Sequence, residues 1–389
     1  MAPIAAYPKV RLGLYASFAP PLLERLHVPN FGIDWNSRTS VGKTTTLRVV
    51  ASPWGCPDER RAGESIVFSW FMTRVWPERA AAVMNGLPFI LDESKLAPKE
   101  IVPSVLYMIS NGVGKGRGAP RGLATSKQWH TILFSSGEGP LTAMSEDGGA
   151  RMRCFSVRGY PFGSKDPVMM KLVSELNATL QLNYGHAGPR FVQWLQQHQG
   201  DLRDWEAMYA TLKRGFMNDV RDEAACRLSD YAALIELTAQ LTHKALDLPW
   251  QYTRAIPADL WKTIVQEASG AAGDRRALNH VLSWALAHQE AFEGRHLRDS
   301  RDGTPRPPPG GWAGRWAIGD GQALGWLPHV LDTVLTAGNF DPTAIKELWR
   351  ENGWLELEEG RRTYLKRSRM FGELTRLVTI NLAAADEER

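Results

Sequence analysis

The sequence predicts an α/β core, followed by a helical segment, a breaker-rich linker and a small mixed module at the C-terminal end. Up to about residue 160, short apolar runs alternate with helical stretches and glycine-rich turns, the pattern of strands covered by helices. From about 166 to 295, apolar residues recur at three- and four-residue spacing, as on amphipathic helices. The run RDGTPRPPPGG (301–311) then interrupts any regular element. The expected boundaries are 1–165 for the core, 166–298 for a helical lid, 299–320 for the linker and 321–389 for the terminal module.

Within the core, the expected strands are FGIDW (31–35), SIVFSWF (65–71), PFILDE (88–93), HTILFSS (130–136) and MRCFSV (152–157). TTLRVVASPWG, after Thr44, reads as a helix opening directly off a loop. The lid helices are expected at VMMKLVSELNATL, FVQWLQQHQ, LSDYAALIELTAQLTHKAL, ADLWKTIVQEA and ALNHVLSWALAHQEAF. The tail offers a short helix, PTAIKELWRENG, then a β-hairpin with a basic turn, the outline of a winged helix.

At 389 residues the chain is longer than one core usually organises. Hydrophobic content of 43% and charged content of 23% are those of a globular protein, and the net charge of +4 does not by itself imply a nucleic-acid partner. Cys56, Cys154 and Cys226 form no CxxC pair. This argues against a disulfide framework or cysteine zinc site and suits a reducing cytoplasm. MAPIAAYPKVR followed by LGLYASFAPPLL resembles a secretory signal, but Glu24 and Arg25 follow at once without a small-residue cleavage site. A cytoplasmic location is therefore expected, with no membrane partner, since nothing approaches the ~20 apolar residues of a membrane helix.

SRTSVGKTTTL (37–47) follows a strand and opens a helix, the context of a phosphate-binding loop. In such a loop Ser40, Val41, Gly42, Lys43, Thr44 and Thr45 wrap ATP phosphates with backbone N–H groups at a helix N-terminus. Lys43 reaches the β and γ oxygens and the Thr44 hydroxyl ligates Mg2+. The usual GxxxxGK[ST] pattern has glycine where this chain has Ser37. In NGLPFILDES (85–94), an apolar strand ends in Asp92–Glu93. Asp92 is expected to hold the metal through water, and Glu93 to polarise the attacking water as a general base.

These strings extend into a wider resemblance. SVGKTTTLRVVASPWG, SWFMTRVWPERAAAVMNGLPFILDE, YMISNGVGKGRG, WHTILFSSGEGPL and GGARMRCFSV occur in that order between Arg11 and Tyr160. Together they resemble the AAA+ helicase-like domain of unknown function found in phage, prophage and cassette-chromosome elements, a relative of the minichromosome maintenance helicases. The tail from GNFDPTAIKELW onward is similar to the C-terminal module of the cassette-chromosome members. The resemblance implies an AAA+ P-loop ATPase core with a helical lid and a winged-helix-like C-terminal module. It also implies an ATP-driven DNA helicase or translocase acting as a ring, a hexamer, in replication of a phage or mobile element.

Further roles follow only from that resemblance. Ser136, or its neighbour Ser135, falls near the sensor-1 position that hydrogen-bonds the γ-phosphate or attacking water. Arg151 and Arg153 lie where relatives present an arginine finger to a neighbouring subunit, and Arg227 resembles a sensor-2 arginine. The large N-terminal region that such proteins usually carry does not precede the core, which leaves room for a separate replication partner.

NGVGKGRGAPRGLATSKQWH (111–130) carries Lys115, Arg117, Arg121 and Lys127, and no acid occurs from Ile101 through Gly137. In the relatives this interval projects into the ring channel and grips DNA phosphates, single-stranded or forked; such contacts are sequence-independent. Two other functions fit the same motifs: a loader or remodeller acting on protein partners, and an ATP-binding DNA scaffold.

Overall fold

The computed structural model of the chain describes residues 4–37, 42–98, 101–116, 118–119, 122–123, 126–144, 151–164, 166–218, 223–248, 250–269, 271–295, 308–318, 323–338, 340–358 and 364–386. The chain divides into two compact units, Met1–Ser269 and Gly270–Arg389.

The first unit opens with α1 (Pro8–Ser17) and α2 (Pro20–Leu23). The apolar run that resembles a signal segment is here a pair of packed helices, with Val10, Leu12, Leu14 and Tyr15 buried. There follow β1 (Phe31–Asn36), α3 (Lys43–Ala51), β2 (Val67–Ser69), α4 (Trp76–Val83), β3 (Phe89–Asp92) and α5 (Ile101–Asn111). A small antiparallel pair, β4 (Gly118–Ala119) and β5 (Gly122–Leu123), precedes β6 (Ile132–Gly137) and β7 (Cys154–Arg158).

The five longer strands form one sheet in the order β2-β3-β6-β1-β7. Every pairing in it is parallel. Parallel neighbours need crossover connections, which place helices on both faces and demand apolar side chains on both. Ile33 and Trp35 of β1 and Phe134 of β6 enter one core. Phe89, Leu91, Leu133 and Cys154 enter the other, with Ala81, Val102, Leu106 and Ile109 of α4 and α5. A parallel sheet also brings all its strand ends to one edge, so the loops after β1, β3 and β6 converge.

Asn30, just before β1, ties the excursion between α5 and β6 to the sheet. Its Nδ2 donates to the carbonyls of Ile109 (2.9 Å) and Trp129 (3.0 Å), and its Oδ1 accepts from Thr131 N (3.0 Å). The two legs then pair through the Val113–Gln128 bridge and the Gly114 N to Lys127 O bond (2.8 Å).

The remaining helices of this unit are α6 (Pro167–Leu182), α7 (Ala187–Gln197), α8 (Leu202–Asn218), α9 (Glu223–Leu246) and α10 (Ala258–Ser269). α8 is not among the helices expected from the sequence, although Leu202, Trp205, Met208, Tyr209, Leu212 and Phe216 recur along it at three- and four-residue spacing and pack into the core of this unit. Glu236 of α9 is buried and accepts from Ala255 N (3.0 Å) and Ile256 N (3.3 Å), fixing the chain that leads into α10.

The second unit contains α11 (Ala271–Ala287), β8 (Phe292–Glu293), β9 (Gly314–Ile318), β10 (Ala323–Trp326), α12 (Pro328–Ala337), α13 (Pro342–Glu351), β11 (Leu365–Met370), β12 (Glu373–Asn381) and α14 (Leu382–Asp386). Its sheet runs β11-β12-β10-β9-β8. Leu278, Val281, Trp326, Leu331, Trp349 and Ile380 share one core. Two features depart from the sequence expectation. ALNHVLSWALAHQEAF, expected to belong to the lid, supplies α11 to this second core. Gly314–Ile318, inside the stretch 299–320 expected to be linker, is a paired strand. It needs glycine at its start, because a Cβ on Gly314 would run into the Gly325 carbonyl. The hairpin of β11 and β12 turns between Met370 and Glu373, so Lys366, Arg367 and Arg369 lie on a strand.

Candidate active site

The converging edge of the parallel sheet gathers the residues of the two sequence motifs. Gly42 stands immediately before α3 with φ 109°, a left-handed conformation that favours glycine. A Cβ there would also meet the Phe162 ring at 2.6 Å. Gly42 offers no side chain to cap α3, and Thr46 N takes the Gly42 carbonyl (2.9 Å). The first-turn amides of α3 therefore remain directed at the loop, as anion binding requires. Ser40 and Val41 lie outside the described residues. The Thr45 hydroxyl accepts from Asn177 Nδ2 (3.0 Å) and so is engaged with α6.

Lys43 is largely buried and its ammonium donates to the carbonyls of Ser37 (2.7 Å) and Gly137 (2.6 Å), bridging the ends of β1 and β6. Burial lowers its pKa, while the negative charges of Glu93, Glu138, Asp34 and Asp92 act the other way. The Thr44 hydroxyl donates to Asp92 Oδ2 at 3.0 Å. Ser136 donates its hydroxyl proton to the other oxygen, Asp92 Oδ1. Glu93 N donates to both Asp92 Oδ1 (3.1 Å) and Ser136 Oγ (3.3 Å). Glu93 itself adopts φ 63°, uncommon for a residue with a Cβ; it turns the chain sharply out of β3. Five predicted residues, Lys43, Thr44, Asp92, Glu93 and Ser136, are thus brought together. Ser135 faces elsewhere, its Oγ accepting from the Trp70 indole at 3.0 Å.

Thr44 Oγ1 and Asp92 Oδ2 are hard oxygen donors side by side, the donor chemistry that Mg2+ takes. Buried Ser37 Oγ and Ser94 Oγ, flanking this group in sequence, have no hydrogen-bond partner among the described residues. They are further oxygen donors within the same loops. The residues present therefore fit a magnesium-bound anionic ligand.

Three neighbours of this group escape motif-based reasoning. Asp34 of β1 is fully buried; its Oδ2 accepts from Leu141 N (3.1 Å) and Asn36 Nδ2 (3.2 Å), and Oδ1 has no partner among the described residues. Burial pushes its carboxyl up to about 7, against the hydrogen bonds and the Lys43 charge. Lys95 and Glu138, two residues beyond Glu93 and Ser136, form an exposed 2.9 Å ion pair. A cleft of about 520 Å³ opens between Tyr7, Lys9, Arg158, Tyr160, Asp259 and Thr263. It borders the loop, because Phe162 packs against both Gly42 and Tyr7 (ring centroids 5.3 Å). No motif announces it, since its lining is scattered over more than 250 positions.

The predicted arginines are elsewhere. Cys154 pairs with Gly32, so Arg153 stands level with Phe31, at the start of β1. Five strand residues separate that level from Asn36, about 16 Å at ~3.3 Å per residue. Arg153 lies over the Tyr107 ring at 4.6 Å, and Arg151 is two residues further upstream, half-buried. Arg227, exposed near the start of α9, acts electrostatically on Tyr231, whose ring stacks on Phe31 at 4.3 Å. Arg153 acts on the same tyrosine. Arg153 and Arg227 therefore share the edge of the sheet opposite Lys43, and the structure does not bring Arg227 to the loop that carries Gly42 and Lys43. Lys115 and Lys127 are exposed on the legs of the glycine-rich excursion, while Arg117 and Arg121 lie outside the described residues.

Comparison with known proteins adds two findings. Residues 1–129 match the family described as a domain of unknown function, DUF927. No curated protein sequence matches the chain. Among solved structures, the fold is similar to "SCCmec type IV Cch - active helicase", with a TM-score of 0.68 and 18% identity, covering 98% of this chain and 68% of that one. Among the described residues, no helix is long and apolar enough to cross a membrane.

Proposed function

We propose that the chain is an AAA+ ATPase that uses ATP and Mg2+ to translocate on or unwind DNA, as a ring of copies, in replication of a phage or mobile element. The observation that carries the ATPase reading is the Thr44–Asp92–Ser136 hydrogen-bonded group at the carboxyl edge of a parallel sheet, beside Lys43 and Glu93. The strand order, with the phosphate loop after β1, which lies between β6 and β7, and the acidic pair after β3, supports the AAA+ assignment. Similarity to a solved helicase supports the motor reading, and the exposed Lys115 and Lys127 support DNA as the track.

In this reading Lys43 and the first-turn amides of α3 hold the phosphates, and the cleft beside Phe162 takes the base and ribose. Thr44 and Asp92 hold magnesium, which neutralises phosphate charge when bound. Ser136 and the Glu93 amide keep Asp92 oriented, and the Glu93 carboxylate accepts a proton from the attacking water. Arg151 or Arg153 reaches a neighbouring copy's ATP, a role that suits a planar guanidinium. Arg227 serves that same neighbour, and the terminal module is a winged helix.

Phosphate release with and without DNA tests the reading. Glu93→Gln should bind nucleotide yet lose turnover by about 10²- to 10⁴-fold, and Lys43→Ala should lose binding. Wild-type turnover in Glu93→Gln would remove Glu93 as the catalytic base, and absence of phosphate release from the wild type would remove the ATPase reading. Lys115→Ala with Arg117→Ala should keep basal turnover and lose DNA stimulation. Unchanged stimulation would favour a remodeller of protein partners.

A further inference from the structure

The hairpin of the second unit carries charge where folding alone disfavours it. β11 and β12 pair with Leu365↔Val378, Arg367↔Arg376 and Arg369↔Leu374 in register. Side chains two apart along a strand share a face, so these six residues lie on one face. At its root that face is core: Val378 and Ile380 of β12 are buried with Leu324 and Trp326 of β10. Beyond Val378 the hairpin runs past the core, and Arg367, Arg369, Leu374 and Arg376 are exposed. The opposite face differs, with Lys366 paired to Glu356 (2.6 Å) and Glu373 near the turn.

Like charges directly opposite one another on neighbouring strands are destabilising, and Arg367 and Arg376 stand in that relation. None of the three arginines is in an ion pair with a described residue. Nearby Glu358 accepts from the Arg367 backbone N–H (2.9 Å). A further guanidinium, Arg315, donates to the Arg369 carbonyl at the hairpin's flank and is itself paired with Glu293 (3.6 Å).

We propose that this arginine face binds the phosphate backbone of nucleic acid, as a contact separate from the glycine-rich excursion of the first unit. A polyanion laid along the face would relieve the Arg367–Arg376 repulsion that the free hairpin sustains. Guanidinium groups suit phosphate because their planar fork presents paired donors. Three of them, with Leu374 among them, form a short cationic strip, and contacts made to phosphate carry no base information, so such binding is sequence-independent. The inference needs only the second unit and takes DNA as its partner from charge complementarity.

The test uses the full chain and fluorescent single-stranded and duplex DNA of unrelated sequences, titrated with salt. Replacing Arg367, Arg369 and Arg376 together with alanine should weaken binding alike for every sequence. The log–log salt slope should fall by about 0.9 on duplex, or about 0.7 on single strands, for each phosphate that the variant no longer neutralises; the two arms tell which form of DNA the face takes. The triple lysine variant should keep the slope. The thermal midpoint of the alanine variant should not fall, because the opposed charges are gone; a structural role would lower it. Unchanged affinity and slope on both DNA forms would overturn the proposal. So would intact DNA binding with abolished binding to anionic phospholipid vesicles. Basal phosphate release in the same preparations reports separately on the ATPase reading.

Discussion

The Thr44 hydroxyl donates to Asp92 Oδ2 at 3.0 Å, joining the first turn of α3 to the end of β3 across forty-eight positions of sequence. Asp92 is thereby held from two sides, by Thr44 on one oxygen and by Ser136 and the Glu93 amide on the other. The acid that would organise a metal is already oriented by its neighbours.

Thr44→Val keeps the β-branched shape but removes the hydroxyl. The variant should fold, since one partly buried hydrogen bond contributes only about 1 kcal/mol. It should require more magnesium for half-maximal phosphate release, whereas Thr44→Ser should stay near wild type. A magnesium titration of turnover reads both. Identical curves for all three proteins would take Thr44 out of the metal site.

Asp34 should make stability depend on pH. Its folded pKa of about 7 stands above the ordinary 3.8, so the folded chain binds a proton that the unfolded chain gives up at lower pH. The stabilisation is complete below about pH 4 and is lost as pH rises through about 7. The difference of roughly three powers of ten in proton affinity, at about 1.4 kcal/mol each, is on the order of 4 kcal/mol. Asp34→Asn should flatten that part of the profile, measured as urea midpoints between pH 4 and 8. An equal pH slope in wild type and variant would show that Asp34 ionises without penalty.

Arg153 stands level with Phe31, at the sheet edge away from Lys43. If it serves catalysis, it serves another copy. Arg153→Ala should bind nucleotide and hydrolyse poorly, and mixing it with Glu93→Gln protein should restore part of the turnover. Arg151→Ala in the same assay distinguishes the two arginines. Full activity of wild type at every dilution, with no rescue on mixing, would exclude shared sites.

Much of the chain was legible because its signals are local. A strand ending in a glycine-lysine loop and an apolar strand ending in two acids are contiguous patterns, and parallel pairing carries their ends to one edge. The helices after β7 are legible through amphipathic spacing, and α8, though not among those expected, carries the same signal in Leu202, Trp205, Met208, Leu212 and Phe216. β9 was hidden by the proline-rich run before it, and its pairing depends on a partner strand rather than on its own composition.

The sequence by itself determined the alternation of strands and helices and the residue types of the glycine-lysine loop and the acidic pair. Tertiary structure decided which of two adjacent serines meets Asp92, because that depends on which face of β6 each side chain takes. It also decided that Asp34 is sealed from water and that Arg153 and Arg227 share the edge opposite Lys43. Strand direction and register place those groups, and both are set by cooperative packing of segments far apart in the chain.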